Sequence, residues 1–180
     1  IQFIIESALD ARGDALLALP ASEEALPVLE ALAEKPIKWK YVTIIPTDDL
    51  LIPLDDPRSH VKKLAQLFLT RGARVLPLAP DHDDYHMAGA AADARLRDTK
   101  WPADLVWLGM GEGGSTAGIM ESADLEEALD GPPEKLAVGL LPEGGDTPLV
   151  TLTKAAATSM TPIGRIFADL TVPVDIYVEN

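Results

Sequence analysis

Short apolar runs alternate along this chain with longer segments whose apolar residues recur every three or four positions, and this alternation restricts the fold more than any other property of the sequence. Residues 2–12 read as the end of a helix with Phe3, Ile4 and Leu9 inward and Gly13 as its stop. Residues 15–19 are a buried strand, and 23–33 a helix with Leu26, Leu29 and Leu32 on one face. Residues 41–45 form the second strand, closed by Pro46. Past a turn at 53–57, residues 59–69 place Val61, Leu64, Ala65 and Phe68 on one helical face, and 74–78 form a third strand. A helix at 81–97, a strand at 105–108, a helix at 124–129 and strands at 135–139, 149–153 and 172–178 complete the series. The expected architecture is α/β, a single domain over residues 1–180 with a mainly parallel sheet flanked by helices.

Composition narrows the function classes. With 47% hydrophobic residues in 180, the chain can bury one sizeable core. Fifteen Lys and Arg against 29 Asp and Glu leave a formal charge of -14, which repels nucleic acid and anionic lipid. No apolar run reaches the roughly 18 residues of a membrane span. No signal peptide is visible, and the expected setting is the cytoplasm. The absence of cysteine rules out disulfides and thiolate chemistry. Any anionic substrate then needs a local cluster of donors: Arg58, Lys62 and Lys63 are one candidate, Arg71 and Arg74 another, and each also reads as a solvated helix face.

The segment Asp104-Leu-Val-Trp-Leu-Gly-Met-Gly-Glu-Gly-Gly-Ser-Thr-Ala-Gly118 runs an apolar strand into a glycine-rich turn. Gly109, Gly111, Gly113 and Gly114 free the backbone to present N–H groups, and a helix beginning near Ser115 would add its positive end for a phosphorylated ligand. The same residues also fit a tight strand-to-helix connection with Ser115 or Thr116 as N-cap. The letters match G-x-G-x-x-G, but no acidic residue closes a second strand about 20 residues on, and the Lys-Ser/Thr pair of a P-loop is absent. His82 and His86 stand four apart among Asp81, Asp83 and Asp84, a spacing compatible with metal ligation but equally with a polar helix start; no metal site is expected.

Several segments, in order, resemble the 6-phosphogluconolactonase family, which shares its modified Rossmann-like fold with the glucosamine-6-phosphate isomerases. Trp39-Lys-Tyr-Val-Thr-Ile-Ile45 resembles a family strand, and Asp48-Asp-Leu-Leu-Ile-Pro53 sits where the family has Asp-Glu-Arg, two residues and Pro. Asp56-Pro-Arg-Ser-His60 falls on a segment ending Ser-Asn. Leu108-Gly-Met-Gly-Glu-Gly-Gly-Ser-Thr-Ala117 resembles Leu-Gly-Met-Gly-Glu-Asp-Gly-His-Thr-Ala, and Thr147-Pro-Leu-Val-Thr-Leu-Thr153 resembles Pro-x-Arg-Val-Thr-Leu-Thr. The resemblance implies hydrolysis of 6-phosphogluconolactone to 6-phosphogluconate in the pentose phosphate pathway, without metal or cofactor. It also implies a chain shortened at its N-terminus and between Met160 and Val172.

The departures fall on the roles such chemistry needs. Ser115 stands in place of the family's His, Gly113 in place of the neighbouring Asp, and Leu50 and Leu149 in place of two arginines. Glu23 and Glu24 occupy the first phosphate loop, where each would repel a phosphate at 4 Å by about 4 kcal/mol at an effective dielectric of 20. The expected site therefore has Asp48, Asp49 and Ser115 in catalytic roles, with either Asp as general base. Gly109, Gly111, Gly113, Gly114, Thr116 and Arg58 would bind a sugar phosphate or sugar lactone. Asp48-Asp49 also reads as a solvated turn. A catalytically inactive paralogue that binds sugar phosphate or a protein is the alternative, and the isomerase branch is disfavoured because its ring-opening His has no counterpart. The sequence leaves the oligomeric state open.

Overall fold

The computed structural model describes residues 1–79, 84–110, 115–159 and 161. The fold is built outward from β1 (Ala15–Leu19), whose five residues are all buried. It pairs in parallel with β2 (Val42–Pro46), Ala15 facing Val42 and Leu19 facing Pro46, and on its other side with β5 (Leu105–Val106). Outside β2 lies β4 (Arg74–Val75), giving the parallel order β4-β2-β1-β5. The two outer strands are shorter than the expected 74–78 and 105–108. Leu76 N–H still reaches Ile44 O and Trp107 N–H reaches Ala18 O, but Pro77, lacking an N–H, cannot extend the first ladder.

Strand alternation distributes the core to both faces. Leu17, Leu19 and Ile44 pack with Ile5 and Ala8 of α1 (Gln2–Arg12), Leu29 of α2 (Leu26–Ala33) and Leu64 and Phe68 of α3 (His60–Phe68). Ala18 and Ile45 face the other way, toward Ala88, Ala92 and Leu96 of α4 (Tyr85–Arg97). Gly13 stops α1 in the left-handed conformation at φ 82, as its sequence suggests. Phe3 does not point inward: it is 66% exposed, and the buried positions of α1 are Ile5 and Ala8. α2 begins at Leu26 rather than residue 23, with Pro27 in its first turn, where a missing N–H costs nothing.

Beyond β2 the chain changes sheets. Thr47, fully buried, donates its N–H to Leu19 O of β1 and accepts at its own carbonyl from Leu152 N–H. It leads directly into β3 (Asp48–Leu50), which pairs antiparallel with β7 (Leu149–Leu152). β6 (Ala137–Leu140) pairs antiparallel with β7, so the later strands form a separate three-stranded sheet, β3-β7-β6, beside the parallel one. α4 lies directly on β6: a β-carbon at Gly89 would sit 2.2 Å from Gly139 N, and one at Gly139 would sit 1.9 Å from Tyr85 O. α5 (Leu125–Asp130) and α6 (Lys154–Thr158) complete the described fold. The expected strand at 172–178 lies outside the described residues.

Candidate active site

The C-terminal ends of β1, β2 and β5 open on one side of the parallel sheet, the position where α/β folds place ligands. A cleft of about 330 Å³ lies there. One wall is the loop after β1, including Ser22 and Glu24; the floor is Thr47 and Asp48; the other wall is the segment after β5, with Gly109, Met110, Ser115 and Gly118. His60, the first residue of α3, closes the end.

Asp48 and Asp49 are neighbours on a strand and so face opposite sides. The Asp48 carboxylate, 14% exposed, faces the cleft, where Oδ1 accepts from Thr47 Oγ1 at 3.0 Å and Oδ2 lies 3.3 Å from His60 Nδ1. His60 Nδ1 is also 2.7 Å from the Asp48 carbonyl oxygen. Asp49 turns away and is 1% exposed; its Oδ1 accepts the His60 N–H at 2.9 Å, and the Val61 N–H also reaches the carboxylate. Asp49 thus satisfies donors of the first turn of α3 that no carbonyl can reach. Burial pushes it up to about 6, against the pull of these hydrogen bonds and the His60 charge. Burial also works against a charged His60, but hydrogen bonding and charge from Asp48, with Asp49 behind, outweigh it and raise the imidazole above its ordinary value. Neither aspartate is a solvated turn residue.

The wall after β5 is not a helix start. Thr116 and Ile119 exchange N–H···O bonds at 3.3 and 2.9 Å, and Ala117 at φ 51 and Gly118 at φ 70 reverse the chain. Two successive left-handed residues cannot begin a right-handed helix, so the expected helix near Ser115, and its positive end, are absent. Gly109 has no left-handed φ; its open face lies 3.9 Å from the Pro20 side chain. Thr151 Oγ1 on β7 donates to Ala117 O at 2.6 Å and holds the turn from behind. Ser115 lines the cleft with Asp48 and His60. Gly111, Gly113 and Gly114 lie outside the described residues, as do Asp81, His82 and Asp83. His86 Nδ1 stands 3.8 Å from Asp124 Oδ1.

Four of the five candidate basic residues are engaged elsewhere. Arg58, 60% exposed and outside the cleft lining, binds Asp56 within its own loop through its backbone N–H, Nε and Nη2. Lys63 reaches Ala21 O and Glu23, Lys62 the carbonyl of Asp55, and Arg71 the carboxylate of Glu34. Among the described residues, no Lys or Arg lines the cleft, while Glu24 does. A larger cavity of about 710 Å³ lies behind the turn, walled by Ile119, Leu125, Leu129 and Leu152. It is mainly apolar, shares Ser115 with the smaller cleft, and has no histidine in its lining.

A family model described as glucosamine-6-phosphate isomerases/6-phosphogluconolactonase matches residues 1–159. The chain belongs to that family. Within it, the chain is 34% identical over 152 residues to a 6-phosphogluconolactonase of Mesorhizobium japonicum, covering 82% of this chain and 64% of that protein. A Pseudomonas putida 6-phosphogluconolactonase is 32% identical over 130 residues, covering 70% and 53%. The chain therefore spans about two thirds or less of these relatives. A 6-phosphogluconolactonase crystal structure from Shewanella baltica superposes with a TM-score of 0.80 at 27% identity, covering 88% of this chain and 69% of that one. A monomeric glucosamine-6-phosphate deaminase shares the fold, with a TM-score of 0.66 at 15% identity over 87% of this chain and 72% of its own.

This family scaffold accounts for the parallel sheet flanked by helices. Two of the sequence departures prove to be spatial neighbours: Leu50 on β3 stands opposite Leu149 on β7, and both pack with Val138 and Leu140. The positions that the resemblance matches to arginines thus form one apolar contact. His60 is not among the residues that the sequence marks as candidates. Its only signal in the sequence is an imidazole where the resemblance has Asn, and its relation to Asp48 depends on the loop between β3 and α3 folding back.

Proposed function

We propose that residues 1–180 form a single lactonase-like domain that hydrolyses the ester bond of a sugar lactone of the 6-phosphogluconolactone type, without metal or cofactor, in the cytoplasm. The observation that supports this best is the hydrogen-bonded pair of Asp48 and His60 at the C-terminal edge of the parallel sheet, facing Ser115 across one cleft. Lactone opening needs a proton acceptor for water and donors for the oxygen that becomes negative. The pair supplies the first requirement, and the Ser115 hydroxyl a donor for the second. The curated relatives carry the name of the same activity. The test is proton release from freshly prepared 6-phosphogluconolactone against spontaneous hydrolysis. Acceleration is expected; a rate equal to background defeats the proposal.

A second reading, a catalytically inactive binding module, draws on Glu24 in the cleft lining and on the apolar pairing of Leu50 with Leu149, both unfavourable to a phosphate. Calorimetric titration with 6-phosphogluconate separates the two. Binding with background hydrolysis supports the module, whereas turnover removes it.

A further inference from the structure

We propose that His60 is the catalytic acid–base residue of this cleft and that Asp48 is its positioning residue, so that an imidazole from the start of α3 performs the proton transfer for which Ser115 has no base of its own. This inference rests on the hydrolytic reading above and assigns its central step to a side chain.

His60 Nδ1 lies 2.7 Å from the carbonyl oxygen of Asp48, and a carbonyl oxygen only accepts. Nδ1 must therefore carry hydrogen, with Asp48 Oδ2 at 3.3 Å as a second attraction on the same side. In the neutral ring the lone pair is then on Nε2. Among the described residues the hydrogen bonds of the ring are made at Nδ1, so Nε2 retains its lone pair for a ligand or water.

The ring is held from a second direction. The His60 N–H donates to Asp49 Oδ1, and His60 begins α3, whose N-cap Ser59 accepts from Lys62 N–H. Neighbouring residues of one strand thus fix both parts of His60: Asp48 the ring, Asp49 the backbone. Asp49 consequently serves the site through the backbone of His60, not as a proton acceptor from water.

In the step this permits, a water in the cleft gives a proton to His60 Nε2 while its oxygen bonds to the lactone carbonyl carbon, and the carbonyl π pair moves onto the carbonyl oxygen. The resulting tetrahedral oxyanion collapses, the bond from carbon to ring oxygen breaks, and Nε2–H returns the proton to that oxygen. The ring ends neutral, as it began. The product is an open-chain hydroxy acid, which ionises and releases one proton to solvent. Asp48 stabilises the transient imidazolium through the contacts at Nδ1.

Asp48 and Asp49 on β3 raise His60 against its burial. Glu24 lines the opposite wall of the cleft, and Lys62 and Lys63 on the helix of His60 are paired with Asp55 O, Ala21 O and Glu23.

The experiment measures kcat and kcat/KM for lactone hydrolysis against pH in the wild type, His60→Gln and Asp48→Asn, with circular dichroism to establish folding. His60→Gln should lose about 10²–10⁴-fold in kcat. It should also lose the ascending limb of the pH profile and regain rate with added imidazole. Asp48→Asn, which keeps the carbonyl acceptor, should retain an ascending limb whose midpoint moves to lower pH. That shift, read independently from the His60 ring signals by NMR, is one a merely structural role would not produce. A wild-type rate equal to background overturns the lactonase reading and this inference together. An active wild type with His60→Gln within about threefold of it in kcat and the same pH profile overturns the inference alone. If His60→Gln does not fold, an unchanged midpoint in Asp48→Asn overturns it.

Discussion

Gly118 lies flush against Asp48: a β-carbon at position 118 would come within 3.0 Å of Asp48 Oδ2 and 3.0 Å of Leu149 Cδ1. The turn after β5 therefore reaches the carboxylate on β3 only because this residue has no side chain and takes φ +70 readily. Gly144, at φ +72 with nothing within 4 Å, offers the matched control.

Gly118→Ala is expected to cost about 2–3 kcal/mol and Gly144→Ala about 1–2 kcal/mol in urea unfolding, the difference being the contact with Asp48 and Leu149. If proton transfer depends on Asp48, only the first should also lower kcat/KM. Equal costs would show that the turn relaxes away from β3 freely.

The contact of α4 with β6 is made backbone to backbone. A methyl group at position 139 would stand 1.9 Å from Tyr85 O, so neither rotamer change nor small side-chain movement can relieve it. Gly139→Ala should cost about 4 kcal/mol or more, near the limit of what a marginally stable domain survives. Its urea midpoint, or its failure to accumulate as folded protein, is the measurement; a loss below about 1 kcal/mol would mean that α4 shifts as a body.

Asp49 makes stability fall as pH rises. Burial holds it at about 6, above the roughly 3.9 of an unfolded aspartate, so the folded chain binds this proton more tightly. Its contribution is complete below about pH 4 and is lost as pH rises through about 6, at most about 3 kcal/mol from two pKa units. His60, raised by Asp48 against its burial, acts in the same direction: its contribution is present below about 6.5 and disappears above its folded value. Asp49→Asn should abolish the decline between about pH 4 and 6 and leave the later one. Unfolding midpoints across that range decide it; parallel curves for the two proteins would contradict the assignment.

Asp104, 2% exposed, accepts two hydrogen bonds from Arg12 Nη2, at 2.7 and 2.6 Å, and others from Leu16 N–H and the Thr161 hydroxyl. Arg12→Ala should cost about 3–5 kcal/mol because it leaves a buried carboxylate without its counter-charge. The double variant Arg12→Ala/Asp104→Leu should cost less than the two single costs added, with a coupling of about 1–3 kcal/mol. Additive costs would show that Arg12 is held by solvent more than by Asp104.

Elements whose apolar period is complete within a few residues were legible without coordinates. Ala15–Leu19, the buried face Val61, Leu64 and Phe68, and the stop at Gly13 follow from local pattern and the conformational freedom of glycine. Strands 135–139 and 149–153 were recognisable as strands but not as antiparallel partners. Their pairing with each other, and the bonds of Thr47 to Leu19 through its N–H and to Leu152 through its carbonyl, join residues distant in sequence. The helix expected near Ser115 failed for a similar reason: Thr151 and Gly118 hold the turn against the second sheet through contacts between residues distant in sequence.

Asp48, Asp49 and Ser115 could be singled out from the sequence as candidates, and so could the side chains that depart from the family pattern, because these are properties of residue identity at a position; of the three, Asp48 and Ser115 line the cleft and Asp49 does not. The separation of the two aspartates into one that faces the cleft and one that caps α3 came from strand alternation once β3 was seen to pair with β7. The partnership of His60 with Asp48 was not visible in the chain at all, because the 11 residues between them had to fold back before the imidazole could meet the carbonyl. Residue identities state which groups are available for chemistry; their separation of a few ångströms is a product of packing, to which many weak, distant contacts contribute and no local pattern corresponds.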